Sequence, residues 1–181
     1  MNILRIYTDG ACSGNQNDNN IGGWGACLEY AGVRKELYGG EANTSNNKME
    51  LTAVIEAFKA LNRQDLVIQV FTDSSYVSNC FKEKWYEYWE SHEWKTKGKK
   101  DVENPELWKE LLALVRQHKS VEFFRVKGHI NLNSKVTDFQ AHYEKFVEIN
   151  GPRFSFEEWK YIVEMNNLVD GLANKGFEGA K

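Results

Sequence analysis

The pattern of apolar and polar positions along the chain predicts three consecutive strands, followed by helices and two further strands. Short runs with apolar residues, β-branched in the run before Asp73, predict strands at residues 3–7, 22–30, 33–38, 66–71 and 121–126. Between the second and third strands, Ala31 and Gly32 are typical of a two-residue hairpin turn. We therefore expect the first three strands to form an antiparallel meander within an α/β fold.

Apolar residues that recur at intervals of three and four predict amphipathic helices around these strands. Such helices are predicted over residues 51–61, 74–81, 105–115 and 137–150, and a last one begins after residue 155. Ser155 and Glu158 match a capping box at the start of that last helix, and Phe154 and Trp159 are placed as a hydrophobic staple.

Two predicted strands lead into the same pair of residues, a threonine followed by an aspartate, at Asp9 and at Asp73. Ligands of open α/β sheets bind at the carboxyl ends of strands, so parallel, adjacent strands would bring both acids to one edge. Two neighbouring carboxylates repel each other, and a bound cation relieves the repulsion. The alternative is that Asp9 caps the backbone of its own turn.

Three further titratable residues allow both a structural and a functional interpretation. Glu50, in the first turn of a helix, either reaches back to Asn47 in a capping box or joins the two aspartates. His129 follows the fifth strand, where it is either structural or part of the same edge. Asp170 lies between apolar residues of the last helix, although most mid-helix aspartates are solvated.

Residues 85–100, here called the tryptophan segment, hold three of the six tryptophans and four lysines of the chain. A helix that packs its aromatic side chains inward and exposes its lysines would have this composition. A surface that binds nucleic acid would have it too. Three glutamates dilute the positive charge, so the composition favours neither interpretation.

Composition predicts one domain, residues 1–181, with 41% hydrophobic and 27% charged residues. The formal charge of −3 argues against a nucleic-acid binder, but two divalent cations would add four charges and bring it to +1. The three cysteines form no CxxC pair, and the N-terminus is typical of a strand and unlike a signal peptide. We therefore expect a cytoplasmic protein.

Five motifs occur in order along the chain, namely YTDGACSGN, NNKMEL, FTDSSYV, VKGH and VDGLAN. Together with the tryptophan segment, which is similar to a basic protrusion, they resemble type 1 ribonuclease H. The resemblance covers nearly the whole chain apart from about thirty residues after His129. It implies the RNase H-like fold, in which helices flank a five-stranded mixed sheet of three antiparallel and two parallel strands.

The resemblance also implies a reaction, the hydrolysis of RNA in RNA–DNA hybrids to 5′-phosphate and 3′-hydroxyl ends. Asp9, Glu50, Asp73 and Asp170 would hold two Mg²⁺ ions about 3.5–4 Å apart, and Mn²⁺ can substitute. His129 would assist proton transfer or product release without binding metal. A catalytically silent hybrid-binding module, or another nuclease on the same fold, is the alternative.

Substrate contacts follow from the resemblance as well. Three asparagines, Asn15, Asn46 and Asn47, would read the 2′-hydroxyls of the RNA strand. Ser45 and Asn104 would bind a DNA phosphate, and Trp85 and Trp89 would pack against DNA sugars. The protein would act as a monomer and would not associate with a membrane.

The main departure from the family is the long stretch between His129 and Asp170. We expect residues 131–154 to be inserted and to form a helical hairpin before the last helix. Its first helix would be residues 137–150, and its second the extended start of the Asp170 helix. The insertion is either a surface elaboration or an element that covers the active site or touches substrate.

Overall fold

The computed structural model describes residues 2–13 and 20–181. In these residues five strands form one mixed sheet in the order β3-β2-β1-β4-β5. The first three strands pair antiparallel, whereas β4 pairs parallel to both β1 and β5. The strands are β1 (Leu4–Cys12), β2 (Ile21–Tyr30), β3 (Val33–Ala42), β4 (Val67–Thr72) and β5 (Ser120–Arg125). The predicted fold class is confirmed.

Six helices are described around the sheet in this part of the chain. They are α1 (Asn46–Lys59), α2 (Ser75–Lys82), α3 (Trp85–Ser91), α4 (Pro105–Val115), α5 (Phe139–Asn150) and α6 (Phe156–Gly179). The predicted capping box is confirmed, since Ser155 and Glu158 bond reciprocally at the start of α6. The two predicted helices around residue 155 are present as α5 and a 24-residue α6, whereas the assignment of residues 131–154 as an insertion stays a prediction.

Two elements differ from the prediction. The first strand was expected to end before Asp9, but β1 continues to Cys12 because Gly10 and Ala11 pair with β2 in the antiparallel ladder. The near-helical spacing of the tryptophans continues as far as Trp94, yet α3 ends at Ser91. The chain leaves the helix at His92, the C-cap, with a φ of −128°, and Glu93 and Trp94 then have left-handed φ values of 53° and 59°.

The side chains of the sheet alternate between two hydrophobic clusters, one on each face. Ile6 and Val70 belong to the cluster covered by α1, α2, α3 and α4, which also buries Trp108. Tyr7 and Phe71 belong to the opposite cluster, which α5 and α6 cover with Phe146 and other apolar residues. The tryptophan segment and the insertion therefore lie on opposite faces.

All three cysteines are free, as their spacing predicted. Among the described residues, none of the helices has the length and apolar character needed to cross a bilayer.

Candidate active site

Three carboxylates meet at the edge of the sheet where the parallel strands end. The pairing of β1 with β4 extends to Thr8 and Thr72, so the next residues, Asp9 and Asp73, come out side by side. Oxygen atoms of Asp9, Asp73 and Glu50 all lie within 4.8 Å of one another. The expectation that the two aspartates share one edge is confirmed.

Glu50 points into this cluster from α1 and is only 7% exposed. Its carboxylate accepts from the backbone N–H of Gly10 at 3.0 Å and from the hydroxyl of Thr72 at 3.4 Å. The alternative in which Glu50 caps its own helix with Asn47 is wrong. Ser45 is the N-cap of α1, and its side chain accepts from the third helical residue, which leaves Glu50 free to face β1.

Asp170 reaches the same edge because α6 lies almost against the backbone of β2. Gly25 pairs with Asp9 across the ladder. A Cβ at Gly25 would lie 2.6 Å from both the Cβ of Leu172 and the carbonyl oxygen of Val169. Only a residue without a side chain allows this approach, which brings Asp170 beside Asp9. Sequence reasoning missed the role of Gly25, although the glycine-rich start of β2 was its signal.

Burial and mutual repulsion disfavour the ionised form of these acids. Burial, followed by the charge of Asp73, raises the pKa of Asp9 to about 9, and Asp170 contributes in the same direction. The same two causes, with burial first, raise the pKa of Glu50 well above its usual range. Burial also raises the pKa of Asp73. Closely spaced carboxylate oxygens of this kind match the ligands that divalent cations such as Mg²⁺ require.

His129 stands at the rim of the cluster. It follows β5, has a left-handed φ of 61°, and its side chain is 77% exposed. Its Nδ1 lies 4.0 Å from a carboxylate oxygen of Asp170. The structure thus brings His129 next to the acids while leaving its ring open to solvent.

Comparison with known proteins agrees with this geometry. A family model described as RNase H matches residues 1–143. The chain belongs to the ribonuclease H family. It is therefore an enzyme, an endonuclease that hydrolyses phosphodiester bonds.

Individual relatives in the family are similar over most of their length. The chain is 50% identical to a Ribonuclease H of Thermoanaerobacter sp. strain X514 over 129 residues, which cover 71% of this chain and 80% of the relative. It is 51% identical to a Ribonuclease H of Methylobacillus flagellatus over 142 residues, 78% of this chain and 90% of the relative. The crystal structure of LC9-RNase H1, a type 1 RNase H with the type 2 active-site motif, superimposes with a TM-score of 0.71 at 28% identity and covers 99% of this chain and 74% of that one.

The polar residues that the family resemblance assigns to substrate have the following surroundings. Asn46 uses its amide oxygen to accept from the backbone N–H of Cys12 at 2.7 Å, which ties α1 to β1. Asn47 is half-buried in the first turn of α1, next to Ser45 at the cap. Asn104 is the N-cap of α4 in a left-handed conformation. Asn15 lies outside the described residues, and all these substrate contacts stay predictions.

The two tryptophans assigned to DNA sugars differ in exposure. Trp89 is 9% exposed and packs against Trp94 and Trp108 in the core cluster, so most of its ring is inside the protein. Trp85 is half-buried, and its indole N–H donates to the carboxylate of Glu83 at 2.7 Å. The structure supports the packing interpretation for Trp89 and leaves a surface role open mainly to Trp85.

Proposed function

We propose that this ribonuclease H cleaves the RNA strand of RNA–DNA hybrids and leaves 5′-phosphate and 3′-hydroxyl ends. The observation that carries the proposal is the cluster in which Asp9 and Asp73, at the carboxyl ends of β1 and β4, meet Glu50 of α1; Asp9 and Glu50 are buried. Relatives of about 50% identity are named Ribonuclease H, and the motifs that hold these acids resemble those of the type 1 enzymes.

The four acids, Asp9, Glu50, Asp73 and Asp170, would hold two divalent cations. Mg²⁺ is the expected ion because the donors are hard carboxylate oxygens, and Mn²⁺ can substitute. When bound, the pair would supply a water of lowered pKa as nucleophile and would stabilise negative charge on the leaving oxygen. The raised carboxyl pKa values fit this assignment, since nearby positive charge favours the ionised form of the acids.

The chain's own groups orient the cluster before substrate arrives. The N–H of Gly10 and the hydroxyl of Thr72 fix the carboxylate of Glu50, so that little rearrangement is needed during the reaction. His129, exposed and next to Asp170, is placed to accept or release a proton at the rim or to help the product leave. It is not assigned as a metal ligand.

Selection of RNA would depend on the 2′-hydroxyl. Asn15, Asn46 and Asn47 would contact this group, and the amide nitrogen of Asn46 is the atom suited to it because its oxygen already accepts from Cys12. Ser45 and Asn104, both helix N-caps, would bind a phosphate of the DNA strand.

Trp85 and the exposed edge of Trp89 would lie against DNA sugars. We also propose that the chain acts as a monomer in the cytoplasm, and its three free cysteines fit a reducing compartment.

The test uses a hybrid labelled on its RNA strand, incubated with Mg²⁺ and, in parallel, with EDTA. We expect internal cuts in the RNA with Mg²⁺ only, and fragments that carry a 3′-hydroxyl that a polymerase can extend. Binding without cleavage under both conditions would favour the catalytically silent module. Preferential cutting of duplex DNA would favour another nuclease of the same fold.

A further inference from the structure

A pocket of about 320 Å³ lies between the end of β5 and the inserted helix α5, beside the acids of the active site. Its walls carry four basic side chains. Arg125 and Lys127 come from the end of β5 and the loop that follows, whereas His142 and Lys145 come from α5. Asp73 lines the same pocket, so the pocket opens directly onto the carboxylate cluster.

The loop after β5 lines the pocket and also lies directly against the active-site acid Asp73. A Cβ at Gly128 would lie 2.6 Å from a carboxylate oxygen of Asp73. The backbone of this loop therefore rests on the acid, and a group bound between Lys127 and Lys145 would be a close neighbour of the reacting phosphate.

The position of α5 is fixed by specific contacts with the edge of the sheet. The side-chain amide of Asn150 accepts from the backbone N–H of Arg125 at 3.1 Å and donates to its carbonyl oxygen at 2.8 Å. Asn150 thus occupies the place where a further strand would pair with β5. At the same end of α5, Lys82 donates to the carbonyl oxygen of Ile149 at 3.0 Å.

The apolar side of α5 holds the helix equally firmly. Phe146 is 4% exposed and belongs to the hydrophobic cluster that α5 and α6 cover. The hydroxyl of Tyr143 donates to the carbonyl oxygen of Phe154 at 2.7 Å. With both sides anchored, His142 and Lys145 are presented to the pocket by a rigid element.

The cations of the pocket are not neutralised by the protein. Within the described parts of the chain, Arg125, Lys127 and Lys145 form no ion pair, although eleven other basic residues and their acids do. Among the described residues that line the pocket, Asp73 is the single acid, and the proposed function commits it to metal. The three cations are also exposed, so a ligand can reach them.

We propose that the insertion builds a subsite for a backbone phosphate of the hybrid, held by Lys145, Lys127 and Arg125 with His142 as a further donor. The inference rests on the proposed function, because continuity with the cluster at Asp73 is what makes the ligand part of the same nucleic acid. Lysine and arginine side chains provide the affinity of proteins for phosphate. Of the two interpretations of the insertion, the structure thus favours contact with substrate.

The test compares Lys145→Glu with Lys119→Glu as a matched control. Lys119 is an exposed lysine directly before the first residue of β5, at the end of the strand away from the pocket. It also has no ion pair among the described residues. For Lys145→Glu we expect KM for the hybrid to rise about 3- to 10-fold while kcat changes less than about 2-fold. The slope of log Kd against log salt, measured by fluorescence anisotropy with Ca²⁺ in place of Mg²⁺, should fall by about 1. Lys119→Glu should change neither quantity.

An unchanged KM and salt slope in Lys145→Glu would overturn the subsite. An equal effect of Lys119→Glu would also overturn the subsite, since both changes would then act through the overall charge of the protein and not through a local contact. The milder Lys127→Ala and Lys145→Ala pair is measured in parallel, with thermal unfolding as a check that the fold is kept. Should the wild-type chain bind the hybrid but leave it uncut, the proposed function fails, while the anisotropy measurement still decides the subsite.

Discussion

The carboxylate cluster and the tryptophan segment are the two regions that the family resemblance assigns to function, and they are built in opposite ways. The cluster joins Asp9, Glu50 and Asp73, with Asp170 beside it, from segments far apart in the chain, and Asp9 and Glu50 are buried. The tryptophan segment is one continuous stretch at the surface, where Lys95 pairs with Asp101 and Glu83 accepts from Trp85.

This difference bears on how each region contributes to function. In the cluster, neighbouring carboxylates repel one another when ionised, so the fold maintains an arrangement that is unfavourable without a cation. In the tryptophan segment, acids reduce the positive potential, and Trp89 serves the core. We infer that the cluster governs turnover, whereas the segment modulates affinity.

The largest effect is expected from Asp9→Asn. Removal of this charge should lower the rate of hybrid cleavage by at least about 1000-fold, because Asp9 neighbours the other three acids. Binding of the hybrid should survive or improve, since a negative charge that faces phosphate is gone. Single-turnover cleavage and anisotropy measure the two properties. Asp65→Asn, at the opposite end of β4, is the control, and cleavage at the wild-type rate by Asp9→Asn would refute the assignment.

Gly25→Ala tests whether tertiary packing alone can disable the cluster. The added Cβ would meet α6 at Leu172 and Val169 and push Asp170 away from Asp9. We expect cleavage to fall about 100-fold and the free energy of unfolding to fall by about 1–3 kcal/mol. Gly179→Ala on the same helix, where nothing lies within 4 Å, should leave both nearly unchanged. Equal activities of the two variants would contradict the proposed role of Gly25.

The tryptophan segment should respond to substitution quite differently at its two tryptophans. Trp85→Ala should raise KM for the hybrid about 3- to 10-fold with little change in kcat and stability, because it removes a half-buried surface ring. Trp89→Ala should instead lower the free energy of unfolding by about 3–5 kcal/mol, since it empties a core position. Urea denaturation and steady-state kinetics separate these outcomes, and equal loss of stability in both variants would show that the segment is all core.

The smallest effect concerns the pH dependence of stability without metal. The native pKa of Asp9 is about 9 against 3.8 in the unfolded chain, so the native state holds a proton that the unfolded state has released. Stability should therefore fall as the pH rises from about 4 toward 9. Unfolding in EDTA should show this slope, whereas Asp9→Asn should reduce it and Mg²⁺ should stabilise more at the higher pH. A flat profile in EDTA would contradict the raised pKa.

Much of the fold could be predicted from local patterns. The hairpin at Ala31 and Gly32, the capping box at Ser155 and the periodicity of the helices depend on residues close together in the chain, so their energetics are visible in the sequence. The Thr-Asp repeat also indicated that Asp9 and Asp73 would meet, because parallel strands end at one edge.

Only the tertiary structure decided the surroundings of these residues. That Glu50 accepts from Gly10, that α6 approaches at Gly25, and that Trp89 is buried depend on contacts between segments far apart in the chain. The same holds for the anchoring of α5 by Asn150, which turns the insertion into one wall of a basic pocket. The sequence by itself determined which elements form and which acids are available. Burial, distance and charge compensation were decided by the packing, because they are properties of the folded neighbourhood.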